Sequence, residues 1–343
     1  TLRAMGFSKD QATALAIVLL LAACSSEKKK EEPPKAAAPS VPIAAADAMT
    51  AALAKGDLGY GDDAKLFDSP AQAIESIMKS DPQILGFGEY HKLATSAKVR
   101  SALRRFADEM LDFIGPHTEH LILETWSLDP RCGKKGEAVT KKVEQTIQRP
   151  KEVEGEMQTL TRQSTEHGIR GHVLSFQCDE SSGLLNKKKD DPGGKGALNP
   201  EKLLETVSRK LGEAALVAWK ARKTDDMVVV YGGATHNNLS PYPGLEAWSY
   251  AQELVAKTSA RFIEVDLYVP ELVAGDKLLA QEAWYPLLRE ARPDQVILIR
   301  RDSSSYILLL RKNYAELGEG EQDGKQGDKE HTEPSQDDRP ANP

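Results

Sequence analysis

No stretch of this 343-residue chain carries the roughly 20 consecutive apolar residues that a bilayer-spanning helix needs, so no transmembrane helix is expected. Basic residues are not in surplus either. The 52 acidic side chains outnumber 45 Lys and Arg, the formal net charge is −7, and no basic stripe appears, which excludes a nucleic-acid partner. There is no internal repeat, and no Gly-x-Ser-x-Gly elbow of the kind that positions a catalytic serine. Cysteine is scarce, at three residues: Cys24, Cys132 and Cys178.

The apolar segment that is present, Ala12 through Ala23, follows a weakly basic start at Arg3 and Lys9 and has the length of a secretory signal core. It ends in Leu21-Ala22-Ala23-Cys24, followed by Ser25-Ser26, which resembles the bacterial lipobox. The resemblance implies a signal peptide over 1–23 and lipidation of Cys24, whose several acyl chains would hold the protein on a lipid bilayer. Ser25, rather than an acidic residue, implies the outer membrane, with a periplasmic or surface-facing body. Residues 24–46, rich in Lys, Glu, Pro and Ala, bury too little apolar surface to order and read as a tether. Residues 318–343 read as a disordered polar tail by the same logic. The span 47–317 is long enough for one domain with a real core. With Cys24 taken by lipid, Cys132 and Cys178 remain as a pair that an oxidising compartment permits to bond.

Within that span, short apolar runs alternate with helix-like stretches. Gln83 to Gly88, Leu121 to Trp126, His172 to Phe176 and Met227 to Tyr231 lack alternation, as strands buried on both faces of a parallel sheet do. Arg261 to Val269, Gln295 to Arg300 and Tyr306 to Arg311 continue the pattern. The last two flank Asp302-Ser303-Ser304-Ser305, which predicts a C-terminal hairpin with an antiparallel edge strand. Val99, Leu103, Phe106, Met110 and Phe113 fall at helical spacing, Asn199-Pro200 opens another helix, and Gly136 to His167 supplies one or two charged ones. The expected fold is α/β, a mostly parallel sheet with helices on both faces.

Ligands of open parallel sheets bind beyond the C-terminal strand ends. The first four runs lead at those ends into Gly88-Glu89-Tyr90-His91, Glu124, Cys178-Asp179-Glu180 and Gly233-Ala234-Thr235-His236, respectively. Glu124 interrupts an apolar run, and a buried carboxylate is costly unless paired, hydrogen-bonded or metal-bound. His117 and His120, in a polar turn, read as solvated. His167 and His172 lie at the opposite sheet edge, and His331 lies in the tail.

The segments ILGFGEYHKLATSAKVRSALRRF, HLILETW and MVVVYGGATHNNL resemble the superfamily that unites ChaN-like haem-binding lipoproteins, erythromycin esterases and Tiki/TraB proteins. Gly88, Glu89, His91, Glu124, Gly233 and His236 match its motifs in order, over about 83–264. The Glu89-x-His91 spacing and the lipobox are nearest to the ChaN branch, and residues 131–200 match nothing in the pattern. The resemblance implies a catalytic centre of Glu89, His91, Glu124 and His236, with Arg100 stabilising negative charge. Two imidazoles and a carboxylate could hold a divalent metal ion that activates water; without a metal, one imidazole could do so directly while a glutamate orients it. A second reading is haem or iron binding, with Tyr90, His91 and His236 as axial-ligand candidates. A third is an inactive surface scaffold.

Overall fold

The apolar runs fold as strands covered by helices on both sides. The computed structural model describes residues 63–312, apart from 94, 95, 97, 148, 149, 151 and 187–195. Cys24, the tether and the C-terminal tail lie outside the described residues. The strands are β1 (Ala64–Phe67), β2 (Ile84–Glu89), β3 (Thr118–Leu128), β4 (Arg170–Phe176), β5 (Met227–Gly233), β6 (Phe262–Tyr268), β7 (Val296–Arg300) and β8 (Ser305–Leu309). They form one sheet in the order β1-β7-β8-β6-β2-β5-β3-β4. β7 is antiparallel to both β8 and β1, and every other pairing is parallel. β1 therefore runs the same way as the rest of the sheet. The C-terminal hairpin forms as expected, but it does not end the sheet, because β1 pairs outside it.

The helices are α1 (Pro70–Met78), α2 (Ala102–Glu109), α3 (Leu111–Ile114), α4 (Gly133–Ile147), α5 (Glu152–Glu166), α6 (Cys178–Gly183), α7 (Pro200–Ala221), α8 (Ala251–Thr258) and α9 (Pro270–Val273). Alternate strand residues point to opposite faces. Phe87, Leu123 and Tyr231 pack with Ile74 of α1, Phe106 of α2 and Leu160 of α5. Ile84, Ile122 and Val230 pack with Val143 of α4, Val207 of α7 and Leu254 of α8. α7 opens on its expected cap: the Asn199 side chain accepts from the Lys202 N–H at 3.0 Å, and Pro200 occupies the first turn.

β3 begins earlier than its apolar run. Thr118, Glu119 and His120 are buried within it, which corrects the expectation that His120 is solvated. The cause is a set of distant partners. Glu119 accepts from the N–H groups of Lys223 and Thr224, the Thr224 hydroxyl and the Arg170 guanidinium. Burial raises its pKa, but these donors outweigh burial and bring it down to about 2. His120 Nδ1 lies 2.8 Å from His172 Nε2, so one imidazole donates to the other. Burial lowers both imidazole pKa values and Arg170 lowers them further; at His120, His172 and Arg222 add to the effect and Glu119 opposes it.

This pair makes stability depend on pH. Unfolded imidazoles titrate near 6.5, roughly, and these two titrate lower when folded. The folded state then binds fewer protons, so the stability they contribute is complete above the unfolded value and is lost as pH falls through the folded ones. Between about pH 7 and about pH 5, the urea midpoint of the full chain should drop further than that of His172→Gln. Equal drops would contradict this assignment.

Candidate active site

The site is assembled by strand order. β5 lies between β2 and β3, so the C-terminal ends of all three are adjacent. β2 ends at Glu89, with His91 two residues on, and β5 ends at Gly233, with His236 three residues on. β3 carries Glu124 at an irregularity. Its pairing with β5 ends at Leu123, and its pairing with β4 is interrupted between Leu123 and Trp126. Such irregularities re-aim side chains. Glu124 turns onto Gly233, whose N–H donates to its Oε2 at 2.5 Å.

Glu89 is buried and held at both oxygens. Oε2 accepts from the Leu103 N–H at 3.1 Å and from the Tyr231 hydroxyl at 2.8 Å, while Oε1 lies 2.7 Å from His91 Nδ1. Leu103 is in the first turn of α2, so the helix dipole favours the carboxylate as well. A carboxylate only accepts, which places the ring proton of a neutral His91 on Nδ1 and makes Nε2 its basic nitrogen.

His236 is oriented by other means. Its Nδ1 lies 3.1 Å from the Trp248 carbonyl oxygen and 2.6 Å from Ser208 Oγ, and Ser208 donates to the same carbonyl. A carbonyl also accepts only, so this Nδ1 carries a proton too. Behind it, Asn237 Nδ2 donates to the Gly86 carbonyl at 3.1 Å and ties the loop to β2. Glu124 lies between the two imidazoles, with Oε1 3.6 Å from His91 Nε2 and Oε2 3.9 Å from His236 Nε2.

These four side chains line a cavity of about 170 Å³. Its walls are apolar: Trp126, Ile147, Leu203, Leu204, Val207 and Trp248. No family model, curated protein or solved structure matches this chain. The chemistry of the site rests on its own geometry.

The structure brings Glu89, His91, Glu124 and His236 together and leaves Arg100 out. Arg100 binds Asp108 at 2.5 Å and Glu109 at 3.5 Å and is not among the residues lining the cavity, so the role expected for it is corrected. Tyr90 lines the cavity, but its hydroxyl donates to Asp276 at 2.9 Å. Burial, then Asp276, pushes its pKa upward. Cys132 and Cys178 form a disulfide with Cα atoms 5.2 Å apart, joining the turn after β3 to the start of α6.

Among the described residues, no group of three or more His, Cys, Asp or Glu side chains is arranged to hold a metal ion. Of the expected ligand set of Glu89, His91, Glu124 and His236, Nε2 of His91 and Nε2 of His236 both face Glu124, at 3.6 and 3.9 Å. Glu89 is occupied by Leu103, Tyr231 and His91, and His91 Nδ1 by Glu89. Ser208 and Trp248 escape sequence reasoning because they reach His236 from 28 and 12 residues away.

Gly233 has no room for a side chain. A Cβ there would lie 2.9 Å from His91 Nε2 and 3.4 Å from Glu124 Oε2. Gly233→Ala should push the imidazole aside and shift the His91 ring resonances, while the thermal midpoint hardly moves. Unchanged resonances would show that the added methyl is accommodated without moving His91.

Proposed function

We propose that this chain is a membrane-anchored extracytoplasmic hydrolase in which His91, oriented by Glu89, activates water for attack on a carbonyl carbon. The observation that carries this reading is the Glu89–His91 pair, 2.7 Å apart, with Nε2 turned toward Glu124 in the cavity. The water oxygen bonds to the carbonyl carbon and its proton passes to His91 Nε2. As the bond from carbon to the leaving oxygen or nitrogen breaks, that atom takes the proton from His91. The sum is one water added across one bond, with His91 restored. Glu124 stabilises the transient imidazolium, and His236, locked by Ser208 and Trp248, helps to fix the attacking water.

The ordered match of Gly88, Glu89, His91, Glu124, Gly233 and His236 supports kinship with the ChaN, erythromycin esterase and Tiki superfamily. The lipobox-like segment at Cys24 supports outer-membrane attachment, and the disulfide is in keeping with an oxidising compartment. Haem capture has less support, because the cavity is small and Tyr90 is engaged by Asp276.

The test is turnover of a small p-nitrophenyl ester by the chelator-treated full chain. Hydrolysis should survive chelation and fall about 10²- to 10⁴-fold in His91→Asn. Equal rates in the two proteins would refute the role of His91. Loss on chelation with recovery on adding zinc would refute the metal-free route. A Soret band on haem addition that disappears in His91→Asn would favour the haem-binding reading.

A further inference from the structure

The cavity lining is of two chemical kinds. His91, Glu124 and His236 bring polar groups from the sheet edge. Leu203, Leu204 and Val207 present one apolar face of α7, joined by Ile147 from the end of α4 and by Trp126. Leu204 is braced by Leu245 and Trp248, and Val207 is packed into the core, so the wall is rigid. A ligand that matches both kinds of lining has a reactive polar group and an apolar body.

Size and charge narrow the class further. A cavity of about 150 Å³ lined by apolar side chains holds benzene, and this one is about 170 Å³. The apolar body is then of about six carbons by the same comparison. Glu89 and Glu124 are the charged side chains lining the cavity among the described residues, and neither Lys nor Arg joins them. An anionic group beside the reacting carbon would be repelled.

Resting on the hydrolase reading, we infer that the substrate is an uncharged ester with an apolar acyl group of about six carbons. Water adds across the acyl C–O bond, giving the free acid and an alcohol. Once ionised, the acid is an anion facing two glutamates, and that repulsion favours its release.

The test uses the full chain and p-nitrophenyl esters of increasing acyl length. From acetyl to hexanoyl, kcat/KM should rise up to about four-fold per buried methylene, then fall for octanoyl and longer chains. The monoester of adipic acid, equal in length but setting a carboxylate against the apolar lining, should react at least about ten-fold more slowly, because that charge would be buried without a partner. Val207→Phe should move the optimum to shorter chains, and Leu204→Phe serves the same purpose if the first variant does not fold.

Binding separates the two claims. Hexanamide should alter the fluorescence of Trp126 and Trp248 in wild type and in His91→Asn, whereas hexanoate should not. If no ester is turned over but hexanamide binds in this way, the hydrolase reading fails and the ligand class stands. A flat chain-length profile, preference for the adipate monoester, or equal binding of hexanoate would overturn the ligand class even with hydrolysis intact.

Discussion

Glu89→Gln should give a folded protein whose hydrolysis is slower by about 10³- to 10⁴-fold, on the scale seen when a triad carboxylate becomes an amide. Three donors converge on this carboxylate: the Leu103 N–H, the Tyr231 hydroxyl and His91 Nδ1. An amide has one accepting oxygen and one donating nitrogen, so it cannot serve all three. If the oxygen keeps Leu103 and Tyr231, the NH₂ group faces His91 and forces Nδ1 to accept. The ring proton then moves to Nε2, and the base is lost from the side that faces the cavity. Nitrogen-15 spectra of the imidazole should show this tautomer exchange, a signature that a merely loosened fold would not give. The stability cost should be about 1–3 kcal/mol, as for one buried donor left without an acceptor. Near-normal turnover, or a His91 tautomer unchanged from wild type, would remove Glu89 from the mechanism.

Loss of the Cys132–Cys178 bond should have the largest effect on stability. The bond closes a loop with a sequence separation of 46 residues, and cross-links of that kind contribute about 2–4 kcal/mol by restricting the unfolded chain. Its location matters as well as its size. Cys132 immediately precedes α4, and Ile147 at the far end of α4 lines the cavity. Cys132→Ser should therefore lower the urea midpoint and raise KM more than it lowers kcat, because the wall loosens while the Glu89–His91 pair stays intact. Reductant should bring wild type down to the midpoint of the variant and leave the variant where it is. A reductant-insensitive wild type would mean that the bond does not form in the protein as made.

Much of the sheet was legible in the sequence because strands buried on both faces appear as apolar runs, as β2 and β5 do; β3 and β6 carry carboxylates within the run, and β4, expected to be buried on both faces, is an edge strand exposed along most of its length. β1 was not legible. It has four residues, Ala64–Phe67, includes a lysine, and is only partly buried at the sheet edge, so it leaves no apolar run to detect. Glu124 stood out as a charge inside an apolar run, and the structure places it at the site. The same signal in β6 has another meaning. Glu264 and Asp266 also interrupt an apolar strand, and both bind Arg301. Burial, then Asp266, pushes Glu264 up to about 7 although Arg301 opposes it. A charge in an apolar run thus marks a buried ionic partner set, of which a catalytic site is one kind.

Two misreadings share a cause. Arg100 was assigned to the site through the family resemblance, but nearby carboxylates on α2 capture it. His120 was assigned to solvent from its polar neighbours, but Glu119 beside it is anchored by Lys223 and Thr224, about a hundred residues on. Local pattern predicts which face a residue occupies, whereas side-chain partners depend on tertiary approach. The lock on His236 by Ser208 and Trp248 is of the same kind.

The direction of β1 carries a last consequence. Because it runs with the parallel strands, Ala64 at its start lies at the edge of the sheet opposite the one where Glu89 and Gly233 end their strands. The described chain thus begins at the base of the body, and whatever precedes it enters on the side away from the cavity.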